Sequence, residues 1–464
     1  MQRKPLALAI LMSCAGLAPN AHADDAKLQA EVDALRAEVA QLRGLVHEMQ
    51  AQRAPAPAAS PAAGAATPNA SAPSAVASTN AAPAPAQPVA TTAAGDAIPG
   101  TGGSGLALGA NTSLWGYGQL DYNRPTKRIG DTQADLTRAV IGFNHVFDEN
   151  TRVYGELEWE HAVTSNVDQG ESEVEQLYVE HALAQNYGVR VGLTLVPLGL
   201  LNEHHEPSNF YGVERNLVEQ AIIPSTWREG GVSMYGNTDW GFNWNLGIGT
   251  GPNLGAWDAT ADEGRISPLG SIHQELQLAK ARDPSVYAAG NWQGIPGFLV
   301  GGGVFTGNIG QGNTALPVDK SRLLLGEAHL RWQPGPFDVS ALYTRGTISN
   351  TQALNLLFLG QPTPVPKSFW GGYVQGAWRA LEWGNESSLS PFLRYEMFNT
   401  GASYAAQPYG LDTPPLPTQR VWTVGANYYL NPNIVFKIDY QKFRYEDVVL
   451  GYGNRFDLGL GYQF

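Results

Sequence analysis

The chain has 464 residues, a formal net charge of −13 and a single cysteine, Cys14. Charged residues make up only 15% of it, against about 25% in soluble globular domains, while Gly (53), Trp (12) and Tyr (19) are abundant. The low charge argues against a soluble α/β enzyme of this size, and the acidic balance argues against nucleic-acid binding. The longest apolar run, residues 6–12, is too short for a transmembrane helix, which needs about 20 residues.

Residues 1–23 have the pattern of a bacterial export signal. Two basic residues at positions 3 and 4 precede the apolar run, and Ala21-His22-Ala23 supplies small residues before the expected cleavage. A lipoprotein signal ending at Cys14 is the alternative, although Met12 is bulky for that motif. Cleavage after Ala23 removes two positive charges and the thiol, so the mature chain would carry −15 and no disulfide.

Residues 24–50 predict a periplasmic coiled coil. Apolar side chains recur at alternating spacings of four and three, the a and d positions of about three heptads. They are Leu28, Val32, Leu35, Val39, Leu42, Val46 and Met49. A single amphipathic helix docked on the following domain is the alternative. Val at a with Leu at d favours a dimer, whereas the assembly inferred below is a trimer, and the sequence leaves that choice open.

Residues 51–108 predict a disordered linker. They are mostly Ala, Pro, Ser and Thr, with almost no charge and no apolar periodicity, so they cannot form a packed core. A proline-rich chain stays extended at up to about 3.1 Å per residue. This linker would therefore separate the coiled coil from the domain at 109–464.

The domain at 109–464 has a different pattern, with a hydrophobic period of two residues. In its last segment Phe456, Leu458 and Leu460 alternate with Arg455 and Asp457. A strand with one apolar and one polar face separates hydrocarbon from water. Sixteen such segments are predicted, near 113–122, 135–147, 151–162, 173–183, 187–196, 228–236, 239–250, 284–293, 297–307, 321–333, 336–346, 368–379, 388–399, 418–430, 434–445 and 454–464.

The connections between these segments alternate between short and long. Residues 148–150, 334–335 and 431–433 are short, whereas 197–227, 251–283, 347–367 and 400–417 are long. Short turns at one end and long loops at the other are typical of outer-membrane barrels. The predicted fold is therefore all-β, a sixteen-stranded antiparallel transmembrane β-barrel in the cell outer membrane with its N-terminal segment in the periplasm. A soluble β-sandwich or propeller is the alternative and would need two-sided cores.

Several stretches of this domain resemble the phosphate-selective porin O/P family of Gram-negative outer membranes. The resemblance covers roughly residues 110–464, and the heptad helix resembles that of dicarboxylate porins with a periplasmic coiled coil. The matching stretches are Val191-Gly192-Leu193, Pro197-Leu198-Gly199, Asn202-Glu203-His204-His205-Glu206-Pro207, Ile223-Pro224-Ser225-Thr226-Trp227-Arg228-Glu229-Gly230-Gly231, Pro391-Phe392-Leu393-Arg394-Tyr395-Glu396, Asn399-Thr400 and Thr423-Val424-Gly425-Ala426-Asn427-Tyr428-Tyr429-Leu430.

The resemblance implies a trimeric diffusion pore narrowed by an inward third loop. Phosphate selectivity in this family is expected from lysines at the constriction and arginines on the wall. Loop 197–227 departs from that pattern, because it has no Lys and has four Glu against the single Arg215. The terminal Phe464 resembles the signal read by the barrel-assembly machinery.

Strand alternation places one set of charged side chains toward the interior. The inward basic residues are Arg138, Arg152, Arg190, Arg331, Arg394, Lys437 and Arg455, and the inward acids are Asp121, Glu156, Glu158, Glu160, Glu180, Glu327, Asp338, Glu396, Asp439 and Asp457. At least half should be structural pairs. The candidate pore-lining residues are Arg138, Arg152, Arg190, Glu156, Glu158, Arg394 and Glu396 on strands, with Glu203, Glu206, Glu214, Arg215, Glu219 and Arg228 in or beside the long loop.

The expected function is passive diffusion of small hydrophilic solutes, including anions such as phosphate or dicarboxylates, favoured by a basic track of Arg138, Arg152 and Arg190. No catalytic residue, cofactor or metal site is predicted, since neither G-x-S-x-G nor H-E-x-x-H occurs and His204 and His205 should point apart. The expected partners are outer-membrane lipid, two further copies in a homotrimer and peptidoglycan through the coiled coil. A cell-wall tether is the alternative, and a barrel enzyme is a further one.

Overall fold

In the computed structural model, which describes residues 106–464 except 166, 385, 448 and 449, sixteen long antiparallel strands form one closed sheet. The predicted sixteen-stranded barrel is confirmed, whereas the predicted signal, coiled coil and most of the linker lie outside the described residues. The strands are β1 (Thr112–Pro125), β2 (Gln133–Val146), β3 (Thr151–Glu160), β4 (Ser172–Ala184), β5 (Tyr187–Leu195), β6 (Arg228–Asn237), β7 (Phe242–Gly249), β8 (Ser285–Ile295), β9 (Phe298–Asn308), β10 (Arg322–Trp332), β11 (Phe337–Ile348), β12 (Ser368–Trp378), β13 (Ser388–Ser403), β14 (Gln419–Asn431), β15 (Ile434–Phe443) and β16 (Arg455–Gln463).

Pairing of the last strand with the first closes the sheet. β16 runs antiparallel to β1, with Leu460 opposite Leu120 and Tyr462 opposite Gly118. The C-terminal Phe464 continues the seam, since its N–H donates to the carbonyl of Gly116 at 2.8 Å and its carbonyl accepts from the N–H of Gly116 at 3.1 Å. Closure gives every long strand two hydrogen-bonded neighbours, which removes the exposed edges that a membrane would not tolerate.

Side chains alternate between an apolar exterior and a polar interior along each strand. On β15, Phe436 and Ile438 are 46% and 43% exposed, whereas Lys437 and Asp439, which alternate with them, are 4% and 2% exposed. Exposed aromatic side chains ring the end of the barrel that carries the short turns, as expected for an interfacial girdle. They are Phe147, Tyr187, Trp240, Trp332, Phe337, Trp378, Trp383 and Phe464.

The remaining elements are short. Two-residue strands at Leu106–Ala107 and Leu381–Glu382 pair with β1 and β13. The connecting segments contain the helices Val218–Ala221, Glu263–Ile266 and Gln352–Leu357 and the 3₁₀ turns Ile129–Asp131, Leu254–Ala256, Gly270–Ile272 and Pro408–Gly410. Within the part of the chain that the structure describes, none of these helices is long and apolar enough to cross a membrane.

An apolar core lies inside the barrel, toward the end with the long loops. The connection between β5 and β6, residues 196–227, which we call the inward loop, packs there with residues 250–284 against the inner faces of β9 to β14. Its completely buried members include Ile222 and Trp227 from the loop and Phe305 and Phe369 from the wall. The two long loops therefore form part of the folded interior of the barrel.

Deletion of Phe464 should impair assembly of the barrel, because it removes two backbone hydrogen bonds and an aromatic ring from the seam between the first and last strands. We expect a reduction of about tenfold or more in heat-modifiable barrel in the outer-membrane fraction. The matched control is Gly376→Ala, since a Cβ at Gly376 meets nothing within 4 Å. Equal amounts of folded barrel from the deletion and the control would refute this role.

Candidate functional site

The inward loop crosses the barrel interior and is hydrogen-bonded to the opposite wall. The N–H of Val213 donates to Oδ2 of Asp439 on β15 at 2.7 Å, and the N–H of Leu217 donates to Oε1 of Glu396 on β13 at 2.6 Å. The hydroxyl of Ser208 adds a hydrogen bond to β16. The inward loop has almost no regular structure of its own. Its backbone N–H groups donate hydrogen bonds to wall carboxylates, and these bonds fix the path of the loop.

Glu219 holds the two ends of the inward loop together. Its Oε1 accepts from the N–H groups of Leu200 and Leu201 at 2.6 and 2.8 Å, and its Oε2 accepts from the amide of Asn216 at 2.7 Å and the hydroxyl of Tyr373 at 2.9 Å. The side chain is completely buried, and that burial raises its pKa. The structure therefore places this predicted constriction residue in a structural role.

The other charged residues of the inward loop have separate environments. Glu206 is buried and accepts a hydrogen bond from Asn209 at 2.6 Å, and burial raises its pKa to about 7. Glu214 accepts from the amide of Asn123 at 3.1 Å and lies 3.6 Å from Arg455. Arg215 is buried and donates to the carbonyl of His205 at 3.4 Å. The side chains of these three residues are thus held by partners within the barrel interior.

Glu203 and His204 belong to a partly exposed section of the same loop. Burial raises the pKa of Glu203, and the positive charge of Arg190 opposes that shift. Burial lowers the pKa of His204 to about 4, and Arg331 contributes to the lowering. The charges of Arg190 and Arg331 on the wall therefore act on this section of the inward loop.

Two of the three arginines of the predicted basic track share one carboxylate. The guanidinium of Arg152 on β3 donates from Nε to Oε1 of Glu180 at 2.8 Å, and that of Arg190 on β5 donates to Oε2 at 2.7 Å. Arg190 also lies over the ring of Tyr235, at 4.6 Å from its centroid. The three side chains are directly cross-strand neighbours near the short turns, and together they carry a formal charge of +1.

Arg138 lies elsewhere, near the end of the barrel with the long loops. It is opposite Glu160 in the register of β2 and β3, and its Nη1 is 3.2 Å from Oε1 of Glu158. This group has two acids and one arginine, so its formal charge is −1. The structure therefore separates the three arginines into two groups of opposite net charge at different heights.

The remaining candidate residues on the wall are paired. Arg394 donates to Glu396 at 2.8 Å and to the carbonyl of Tyr211 at 2.9 Å, so it fixes the inward loop. Arg228 contacts Glu173 and lies 2.9 Å from Glu275. Arg331 and Arg455 have acidic partners as well, whereas Nζ of Lys437 lies 3.5 Å above the ring of Phe210. Most inward basic side chains are thus held by acidic side chains of the wall or the loops.

Four buried side chains form a cluster where the inward loop meets β1, β3 and β4. The members are Tyr117, Glu156, Glu175 and His205, which are between 0% and 2% exposed. The hydroxyl of Tyr117 is 2.8 Å from Nε2 of His205, 3.1 Å from Glu156 and 3.3 Å from Glu175. Burial alone would lower the pKa of His205, but the charges of Glu175 and Glu156 outweigh it and raise the pKa to about 10.

Sequence reasoning missed Glu175 because the register of β4 shifts beside it. Tyr178 and Glu180 face inward, so strict alternation would place Glu175 outward. A bulge between Glu156 and Leu157 in the pairing of β3 with β4 changes the parity, and Glu175 is completely buried. No local feature of the sequence marks this bulge. His205 points into this cluster, whereas His204 lies outside it.

The wall opposite the anchored side of the loop is lined by small side chains. The inward positions of β7, β8 and β9 include Gly247, Ala289, Asn291, Gly301 and Gly303, all partly exposed. The interior is therefore divided between a wall that holds the loop by hydrogen bonds and a wall of small residues, where Leu198 of the loop packs against Gly303.

Comparisons with known proteins identify one sequence relative and several structures with a similar fold. No family model matches the chain. An uncharacterized protein of Aquifex aeolicus strain VF5 is 28% identical over 352 residues, which are 72% of this chain and 76% of the relative. Salmonella typhi OmpF, solved in complex with daunomycin, superimposes with a TM-score of 0.54 at 16% identity over 76% of this chain and 98% of its own. The outer-membrane channel DcaP of Acinetobacter baumannii gives 0.48 at 14% identity, over 78% and 100%. The superposition on OmpF shows that the chain has the fold of a Gram-negative outer-membrane porin.

Glu219→Ala should release the inward loop, because four donors lose their acceptor inside the barrel. We expect trypsin to cut the folded barrel after Arg215 about 100-fold faster, which corresponds to about 2.7 kcal/mol in the opening of the loop. Glu263→Ala, at an exposed acid of another loop, is the matched control. Unchanged protection of Arg215 in a barrel that still shows heat-modifiable migration would contradict this assignment.

Proposed function

We propose that this protein is an outer-membrane porin that allows passive diffusion of small hydrophilic solutes. The observation that carries the proposal is the closed sixteen-stranded barrel with an apolar, aromatic-girdled exterior and a charged interior crossed by an ordered loop. The porin fold and the closed barrel support an outer-membrane location. No reacting group needs to be invoked, since such a barrel acts by replacing lipid with a hydrated passage.

The diffusion path in this proposal runs between the inward loop and the small-residue wall of β7 to β9. Ala289 and Gly303 on that wall lie against the loop, since Ala289 borders the apolar core and a Cβ added at Gly303 would lie 2.3 Å from Cδ2 of Leu198. Glu203 and His204 of the loop are partly exposed, and the charge of Arg190 acts on Glu203. The opposite side is closed by the hydrogen bonds that hold the loop to β13, β15 and β16. The width of the path is therefore set by the loop and by side chains of β8 and β9.

Ala289→Trp should narrow this path, since its side chain points inward from β8, and it should lower single-channel conductance in planar bilayers by about half or more. The matched control is Ala288→Trp, which adds the same ring to the adjacent residue on the outer face of the same strand. Equal conductance of the two variants would place the passage elsewhere. An absence of current steps in the unaltered protein would instead favour the alternative of a cell-wall tether.

We further propose that the passage prefers anions, including phosphate and dicarboxylates. The group of Arg152, Arg190 and Glu180 carries a formal +1, and the charge of Arg190 acts on Glu203 in the partly exposed section of the loop. Ions in a narrow passage respond most to the nearest charges, because low-dielectric walls focus the field and salt screens charges beyond about 8 Å. The acidic net charge of the whole chain is therefore a weaker determinant than this group.

The double substitution Arg152→Ala with Arg190→Ala should lower the chloride-to-potassium permeability ratio by about twofold or more, since Glu180 would remain without its two partners. Arg138→Ala should change the permeability ratio less, because the group of Arg138, Glu158 and Glu160 already carries net negative charge. Arg128→Ala, in an exposed loop outside the barrel interior, is the control. Reversal potentials in a KCl gradient supply the measurement. A wild-type preference for potassium that the double variant leaves unchanged would overturn the proposed anion preference.

The proposed assembly is a homotrimer inserted by the barrel-assembly machinery, with the coiled coil at 24–50 reaching peptidoglycan across the linker at 51–108. The heptad pattern supports a coiled coil and the proline-rich composition supports an extended linker. The trimer is proposed from the resemblance of the barrel to phosphate-selective porins. In this proposal the barrel forms the passage and the N-terminal segment provides attachment.

A further inference from the structure

We propose that Glu156, Glu175, His205 and Tyr117 form a binding site for a divalent transition-metal ion that ties the inward loop to the barrel wall. The four side chains come from β3, β4, the loop and β1. The inference concerns binding and loop attachment, so it does not depend on the proposed diffusion of solutes.

The spacing of the ligand atoms matches a tetrahedral site. With metal–ligand bonds of about 2.0 Å, neighbouring ligands of a tetrahedral ion lie about 3.3 Å apart. The hydroxyl oxygen of Tyr117 is 2.8, 3.1 and 3.3 Å from the ligand atoms of His205, Glu156 and Glu175. Nε2 of His205 is 3.6 Å from Glu156 and 3.4 Å from Glu175. One atom each from the two carboxylates and the imidazole lie within 4.8 Å of one another.

Neighbouring groups orient the ligand atoms toward the centre of the cluster. Nδ1 of His205 lies 3.0 Å from the carbonyl oxygen of Asn202, which can only accept, so Nδ1 carries a proton and Nε2 is the ring nitrogen that faces the cluster. A metal ion bound there would displace the proton from Nε2. The amide of Gln176 donates to Oε2 of Glu156 at 2.6 Å and leaves Oε1 for the ion. Such supporting hydrogen bonds are typical of histidine and carboxylate ligands in metal sites.

The charge of the surroundings favours a dication. The acids Glu158, Glu160 and Glu206 and the bases Arg138 and Arg215 surround the cluster, so its neighbours supply no excess of positive charge. The two carboxylates of Glu156 and Glu175 remain, buried and close together. Oε1 of Glu175 is buried without a hydrogen-bonding partner among the described atoms. A divalent cation would neutralise both carboxylates in a place where water cannot.

The ligand set selects the class of metal. An imidazole nitrogen with carboxylate and phenol oxygens suits Zn²⁺ and neighbouring transition metals. Ca²⁺ and Mg²⁺ prefer all-oxygen sites with six or more ligands, and this cluster offers fewer. A proton on His205 could also balance the carboxylates, and this is the competing explanation that the experiment must separate from metal binding.

The test uses the full chain, folded into detergent micelles with Zn²⁺ and then passed through a desalting column. We expect about one Zn²⁺ per chain by elemental analysis, retained in the presence of excess Mg²⁺. Glu175→Gln keeps the shape of the ligand residue but removes its charge, and it should weaken Zn²⁺ binding by more than about 100-fold. His204→Ala, at the adjacent histidine outside the cluster, should retain the ion. Heat-modifiable migration verifies that each variant is folded.

Co²⁺ supplies a measurement that does not depend on any variant. The wild-type barrel folded with Co²⁺ should show the intense visible d–d absorption of a tetrahedral N/O site, and added Zn²⁺ should abolish it. A wild-type protein without stoichiometric Zn²⁺ and without this absorption would overturn the proposal and leave a proton on His205 as the balancing charge. Equal Zn²⁺ binding by wild-type protein and Glu175→Gln would also overturn it, because the ion would then lie elsewhere.

Discussion

Closure of the sheet by pairing of β16 with β1 is the constraint on which the rest of the molecule depends. A membrane offers no water to unpaired backbone groups, so a spanning sheet must have no edge. Once the sheet is closed, alternation sends every second side chain into the interior. The interior must then accommodate many polar and charged groups, and each of these needs a partner or contact with solvent.

The inward loop provides those partners, and the wall provides partners for the loop. Asp439 and Glu396 accept from loop N–H groups, and Arg394 donates to the loop carbonyl of Tyr211. Glu219, itself in the loop, accepts four hydrogen bonds. Some of the charged residues that the sequence would assign to an ion path therefore form hydrogen bonds with backbone groups instead. A carboxylate that accepts hydrogen bonds from loop N–H groups is buried and holds the loop. It is therefore not a group that an ion in the passage would meet.

The sequence was sufficient to predict the barrel, because a period of two residues maintained over about ten residues determines which side chains face outward. All sixteen strands lie where the alternation predicted them, and most ends differ by one to three residues. β13 is an exception, since it continues to Ser403, four residues beyond its predicted end. Strand ends are less certain because loop residues can extend the pairing without following the alternation.

The site was only partly predictable, because alternation gives the face of a residue but neither its height nor its partners. Arg138 and Arg190 were expected in one track, yet register places them near opposite ends of the barrel. The bulge beside Glu156 concealed Glu175, and the apolar core around Phe305 depends on contacts with loops that have no periodic pattern. Long-range packing of the loops, rather than local sequence, determines these positions.

The division of the interior also reconciles an acidic chain with the proposed anion passage. Backbone N–H groups need acceptors, so the positions that hold the inward loop favour carboxylates and exclude lysine or arginine as replacements. Asp439 and Glu396 are such positions, and both are almost completely buried. On the side of the small-residue wall, the loop is not held by wall carboxylates. The side chains of Arg152, Arg190 and Arg331 are 28%, 11% and 26% exposed. Some acidic residues are thus used to attach the loop, and three wall arginines remain partly accessible beside accessible acids such as Glu160 and Glu173, so the net charge of −13 is a poor guide to the field inside the proposed passage.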